Sequence, residues 1–236
     1  MTNSQISTEA SPAQKSAIDA LQKFYGLIVA IAFTGGVKKF IDSFQMSGWD
    51  ANQISETLLF MAFVATIVPF YHGMERHLFE THVARNDINW GKNGRPSNIL
   101  LDIFTFMIEG ALLFSIGQNI DAPKTFLWLW SLLLVVDIIW SLIVWNYQKG
   151  TRPIWARNNL IWLIVAWIAW SLTPPVFSFL SWNDPWVPVV QTLVVAVSET
   201  LRSVFDYKAH WHFYFPDDLY QVDKSTTGSN QNTSLR

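Results

Sequence analysis

The chain has 236 residues, half of them hydrophobic, with 13 Trp and 17 Phe, and only 14% are charged, against roughly 25% in a typical soluble domain. That composition describes an all-α, polytopic membrane protein, and a net charge of −2 offers nucleic acid no electrostatic attraction. The absence of cysteine excludes disulfides and thiolate metal sites.

The spacing of polar and apolar stretches divides the chain into a polar N-terminal segment over 1–20, a helical membrane domain over 21–216, and a polar tail over 217–236 that reads as disordered. The first twenty residues lack a basic stretch followed by an apolar one, so no cleaved signal peptide is expected. About 20 mostly apolar residues cross a bilayer, and six segments qualify. The first covers Leu21–Phe40 and is the weakest, with Gly35-Gly36 and Lys38-Lys39 crowding its end. Those glycines are expected either to break the helix or to admit a close neighbour. The second covers Glu56–Leu78, with Asp50 and Gln53 placed like a capping box ahead of it. The third covers Asn98–Gly117, after a turn signal at 93–97, and the fourth covers Thr125–Tyr147. The fifth covers Asn159–Leu180 and holds Pro174-Pro175, which should break or kink it. The sixth starts at Asp184-Pro185, a cap followed by proline at the first helical position, and ends near Ala209.

Basic residues orient these spans. With six crossings and a cytoplasmic N-terminus, one side holds only Lys38, Lys39 and Lys124, while the other lysines and arginines fall on the cytoplasmic side or in the inner half. This bias places both termini inside. A multi-pass protein of a cell membrane is expected, and the lack of signal peptide and cysteine is compatible with a bacterial inner membrane. Tryptophans at the segment ends, including Trp49, Trp90, Trp155, Trp182, Trp186 and Trp211, read as interface anchors. The deeper Trp128, Trp130, Trp140, Trp162, Trp167 and Trp170 read as packing or lipid-facing residues.

Acids within these spans are the main functional signal. Glu109, Asp137 and Glu199 sit mid-span on three different segments. A carboxylate at that depth costs several kcal/mol or more unless it is paired, protonated or wetted. At about 1.5 Å per residue, Asp102 is shallow and Glu109 central. Glu199, Arg202 and Asp206 recur at i, i+3, i+7 on the sixth helix, and His72, Glu75 and Arg76 at i, i+3, i+4 on the second. The patch therefore holds the acids Glu75, Asp102, Glu109, Asp137, Glu199 and Asp206 against the bases Arg76 and Arg202. The surplus acids call for a metal ion, a passing cation, water or protons.

All five histidines fall towards the cytoplasmic side. His72 and Glu75 share a helical face and are the candidate metal ligands, so a divalent metal is a candidate cofactor. His210-x-His212 could chelate if extended. His72, His77 and His82 are five residues apart, so each turns about 140° from the last on an α-helix and they cannot all face one ion. His77, His82 and His212 read as interfacial residues touching headgroups or backbone carbonyls. No zinc-protease, phosphate-loop, dinucleotide or nucleophile-elbow motif is present. Three functional classes fit this pattern: a small cation- or proton-linked transporter or channel, a membrane-embedded metal-dependent enzyme, and a non-catalytic assembly or sensor subunit. Expected partners are the lipid bilayer, a small cation or proton, and further copies of the chain.

Overall fold

A computed structural model describes residues 11–47, 50–84, 98–148, 154–179 and 186–215. Among them the chain forms α1 (Pro12–Ser47), α2 (Ala51–Phe79) running into a π-helical turn (Glu80–Ala84), α3 (Asn98–Gln118), α4 (Pro123–Gln148), α5 (Ile154–Phe179), α6 (Trp186–Ala209) and a one-turn α7 (Trp211–Tyr214), with no strand. The first six helices are each long and apolar enough to cross a membrane. The expected turn at 93–97, the Asp184-Pro185 cap, the tail after 216, and Trp49, Trp90 and Trp182 lie outside the described residues.

The helices follow each other around a ring in the order α1, α3, α4, α5, α6, α2, with α2 packed most extensively on α6 and α1 on α3. Large apolar side chains face outwards, Phe104 with 68% and Met61 with 57% of their surface exposed. Lipid is the medium that accommodates such faces. Inside, the two ends of the bundle differ. Leu59 and Phe63 from the first half of α2, Leu113 and Ile116 from the second half of α3, and Phe126 and Trp130 from the first half of α4 are fully buried. This end is packed mainly by apolar side chains, with Gln53 and Ser55 of α2 also buried in it. The buried charged residues Asp102, Glu109, Arg202 and Asp206 lie towards the other end, the one that the distribution of lysine and arginine leads one to expect on the cytoplasmic side.

Several local expectations are met and others corrected. Asp50 caps α2, accepting from the Gln53 backbone N–H at 2.8 Å. The first helix starts nine residues before the expected Leu21, because Ser11 Oγ accepts from the Gln14 N–H at 3.2 Å and Ile18 is buried, so the polar stretch is itself helical. At 36 residues α1 measures about 54 Å, well beyond the ~30 Å hydrocarbon layer. Gly35-Gly36 does not break it. A side chain at Gly36 would meet the Phe63 ring at 2.5 Å, and one at Gly117 would meet Gly36 Cα at 3.3 Å. The glycines let α1, α2 and α3 approach closely.

Pro174-Pro175 does not break α5, and Pro69, unremarked in the sequence, lies inside α2. A proline lacks the N–H that would bond the carbonyl four residues earlier. For Pro69 that carbonyl is Ala65, and Ser203 Oγ of α6 donates to it at 2.8 Å. For Pro174 it is Trp170, and Gln191 Nε2 of α6 donates to it at 3.2 Å. In a membrane a freed carbonyl finds no water, so donors from a neighbouring helix let the helix continue. Ser203→Ala should therefore lower the stability of the detergent-solubilised protein by about 1 kcal/mol, read by thermal unfolding. An unchanged midpoint would show that the Ala65 carbonyl does not need this donor.

Candidate functional site

The polar end is organised by three carboxylates, each held by named donors. Glu199 on α6 is fully buried and forms a two-pronged ion pair with Arg202 one turn later, at 2.8 Å from Nε and 2.7 Å from Nη2. This is the geometry in which a guanidinium matches a carboxylate best. Trp130 Nε1 of α4 donates to the same carboxylate at 2.9 Å. Arg202 Nη1 reaches across to Asn159 Oδ1 of α5 at 3.0 Å, and the Asn159 amide in turn donates to Asp137 of α4. The Arg202 guanidinium also lies 5.3 Å from the Phe70 ring centre, within reach of a cation–π contact.

Asp102 on α3 is the second centre. Its Oδ2 lies 2.8 Å from His82 Nε2 and 3.3 Å from His77 Nε2, and its Oδ1 accepts from Trp140 Nε1 at 2.9 Å. Both histidines are buried, at 5% and 3% exposure. This corrects the expectation that they touch headgroups or carbonyls, and the expectation that five residues of helix turn them apart. That rotation holds for an α-helix. The π-helical turn at Glu80–Ala84 winds the end of the helix more slowly, with hydrogen bonds closing from i to i+5, and His82 swings back beside His77.

Asp206 on α6 is the third. Tyr214 OH of α7 donates to its Oδ2 at 2.6 Å, and His210 Nδ1 lies 2.9 Å from its Oδ1. Trp155 Nε1 lies 3.0 Å from the same His210 nitrogen. An indole only donates, so this nitrogen either accepts from Trp155 or, when protonated, donates to Asp206. Trp155, expected as an interface anchor, is thus a bonded partner of His210. Arg76 anchors α7, donating from Nε to the Phe213 carbonyl at 2.8 Å, and pairs with Glu80.

These centres surround one cavity of about 470 Å³, counting its open mouth. Glu109 and Asp137 line it together with Asn159, Arg202, Asp206 and Tyr214, and Pro69, Phe70 and Gly73 form its α2 wall. Glu109 is only 3% exposed, and its Oε1 is buried with no hydrogen-bond partner among the described residues. Of the expected site residues, Glu109, Asp137, Arg202 and Asp206 thus meet at one cavity, Glu199 stands behind it through Arg202, and Asp102 adjoins it through Trp140, which also lines the wall. His72 is half-buried among Tyr207, Tyr214 and Phe215, its Nδ1 3.4 Å from Tyr207 OH. Glu75 is exposed and does not line the cavity. Among the described residues, the group of three whose ligand atoms converge is His77, His82 and Asp102, not one containing His72 and Glu75.

The sequence reading missed the neutral donors. Trp130, Trp140, Asn159 and Tyr214 satisfy acids that a count of charges leaves in surplus. The available signal was polar-tipped residues, indole and phenol included, recurring on the same segments as the acids. Comparison with protein-family models, with curated proteins and with solved structures finds no match for this chain.

Tyr214 lies beyond the last span, and its phenol is pushed well above its ordinary value of 10.0, first by burial and then by the Asp206 carboxylate beside it. The fold favours the neutral phenol, so this stabilisation is complete below about pH 10 and is lost as pH rises further, when the unfolded chain ionises first. Tyr214→Phe should lower stability at neutral pH and flatten the alkaline loss, measured as unfolding midpoint against pH. An alkaline limb identical to that of the wild type would remove Tyr214 as its source.

Proposed function

We propose that this multi-pass membrane protein moves a proton or a small cation, and that Glu109 and Asp137 are the groups that carry it. The observation that supports this reading is Glu109 itself: a buried carboxyl with an unpartnered oxygen, lining the same cavity as Asp137 and Asp206. A carboxylate at membrane depth is stable only with a proton, a cation or water against it. Arg202 does not neutralise Glu109, because its hydrogen bonds go to Glu199 and Asn159. A cation in the cavity meets acids from α3, α4 and α6 together, the usual composition of an ion or proton path.

The packed apolar end supports a one-sided cavity. Phe63, Leu113, Ile116 and Phe126 fill the bundle beyond Glu109, so passage in this reading requires a second arrangement that opens the other end. On the α2 wall, Pro69 lacks the N–H of a helical hydrogen bond and Gly73 lacks the Cβ that restricts backbone torsion.

Glu109→Gln, reconstituted in liposomes, should reduce proton or cation flux to that of empty vesicles while leaving the detergent-solubilised fold intact. Glu199→Gln is the contrasting variant: it strands Arg202 without its partner and should cost stability, about 3–5 kcal/mol. Wild-type flux in Glu109→Gln would overturn the assignment, as would wild-type protein that conducts neither protons nor alkali cations under any imposed gradient.

A further inference from the structure

We infer that His77, His82 and Asp102 form a binding site for one divalent transition-metal ion, separate from the carboxylates of the proposed transport path. One potential ligand atom from each of the three residues lies within 4.8 Å of the other two. His82 Nε2 and His77 Nε2 lie 2.8 and 3.3 Å from the same oxygen, Asp102 Oδ2. Bonds of about 2.0–2.2 Å to a common ion place neighbouring ligands close to that spacing, so small side-chain adjustments suffice. Two imidazoles and one carboxylate match zinc and ferrous iron, with positions left open for water or a ligand.

Three further features fit a metal site. The histidines converge because of the π-helical turn at Glu80–Ala84, a distortion frequent at functional sites. Trp140 Nε1 holds Asp102 Oδ1 at 2.9 Å, which leaves Oδ2 to face the imidazoles. Thr81 Oγ1 lies 3.4 Å from His77 Nδ1, where it can accept a hydrogen bond from the N–H of the non-ligating nitrogen. Such outer contacts fix the tautomer and aim of a ligand. The surroundings are apolar and aromatic, with the Trp140 ring 4.6 Å from that of His77, so bulk water competes weakly. Trp140 also lines the cavity, which puts the ion one side chain away from Asp137 and Glu109.

The test is a titration of chelator-stripped, detergent-purified full-length protein with Co²⁺, followed by visible absorption, then displacement by Zn²⁺. Roughly one Co²⁺ per chain with absorption bands of low coordination number is expected. His77→Ala and His82→Ala should abolish the bands, His72→Ala should keep them, and Trp140→Phe should weaken affinity about 10–100-fold. Absence of saturable binding by folded wild type would overturn the site, as would binding unchanged in the His77→Ala,His82→Ala double variant. If the histidine variants do not fold, X-ray absorption on the Zn²⁺-loaded wild type decides: two imidazoles and a carboxylate oxygen support the site, and any other ligand set overturns it. Because Glu109→Gln leaves these ligands untouched, it should bind Co²⁺ normally, so loss of flux and loss of metal are separable.

Discussion

A guanidinium in the interior of a membrane is tolerated only when its donors are met and its charge is balanced, and the polar half of this bundle is arranged around that requirement. Arg202 spends its donors on Glu199 from its own helix and on Asn159 from α5. Glu199 in turn takes the Trp130 indole of α4, and Asn159 reaches Asp137, also of α4. One side chain thereby fixes α4, α5 and α6 relative to each other through contacts whose geometry allows little slack. Removing one member of such a buried pair leaves an uncompensated charge, which is far costlier than the intact pair is stabilising.

The same helix repairs the backbone of its neighbours. Ser203 and Gln191 of α6 occupy carbonyls that prolines release in α2 and α5. Polar side chains on α6 thus serve two separate needs of chains in lipid, satisfying carbonyls and balancing charge. Glu199, Arg202, Ser203 and Asp206 of α6 are accordingly all buried. With the buried charged groups gathered at one end and mostly apolar side chains packed at the other, the bundle has a built-in asymmetry, and Glu109, with its unpartnered Oε1, sits near the boundary between the two.

Much of the architecture was legible in the sequence, because membrane spans announce themselves by length and composition and a deep acid is conspicuous against them. Six spans, the Asp50 cap, the gathering of Glu109, Asp137, Arg202 and Asp206, and the use of glycine for close packing all follow from single-residue chemistry. What was not legible depends on where a neighbouring helix lies. Pro174-Pro175 predict a break or kink when lost hydrogen bonds are counted within one helix, whereas a replacement donor, Gln191, comes from α6. His77 and His82 were read as turned apart because a straight α-helix was assumed, and five residues of sequence do not reveal a π turn. The surplus of acids shrank once indole, amide and phenol donors were placed beside them, leaving Glu109 as the acid of the cavity with an unanswered oxygen.

That oxygen carries the functional reading, and infrared difference spectroscopy addresses it most directly. The membrane-reconstituted protein would be stepped in pH and in cation concentration while the carboxyl region is recorded, with Glu109→Gln and Asp137→Asn beside the wild type. The account predicts a carboxyl band that responds to the step, shifts on exchange into heavy water, and disappears in Glu109→Gln. A spectrum in which no carboxyl responds, or in which the responding band survives in Glu109→Gln, would contradict it and leave the polar cluster as a structural network.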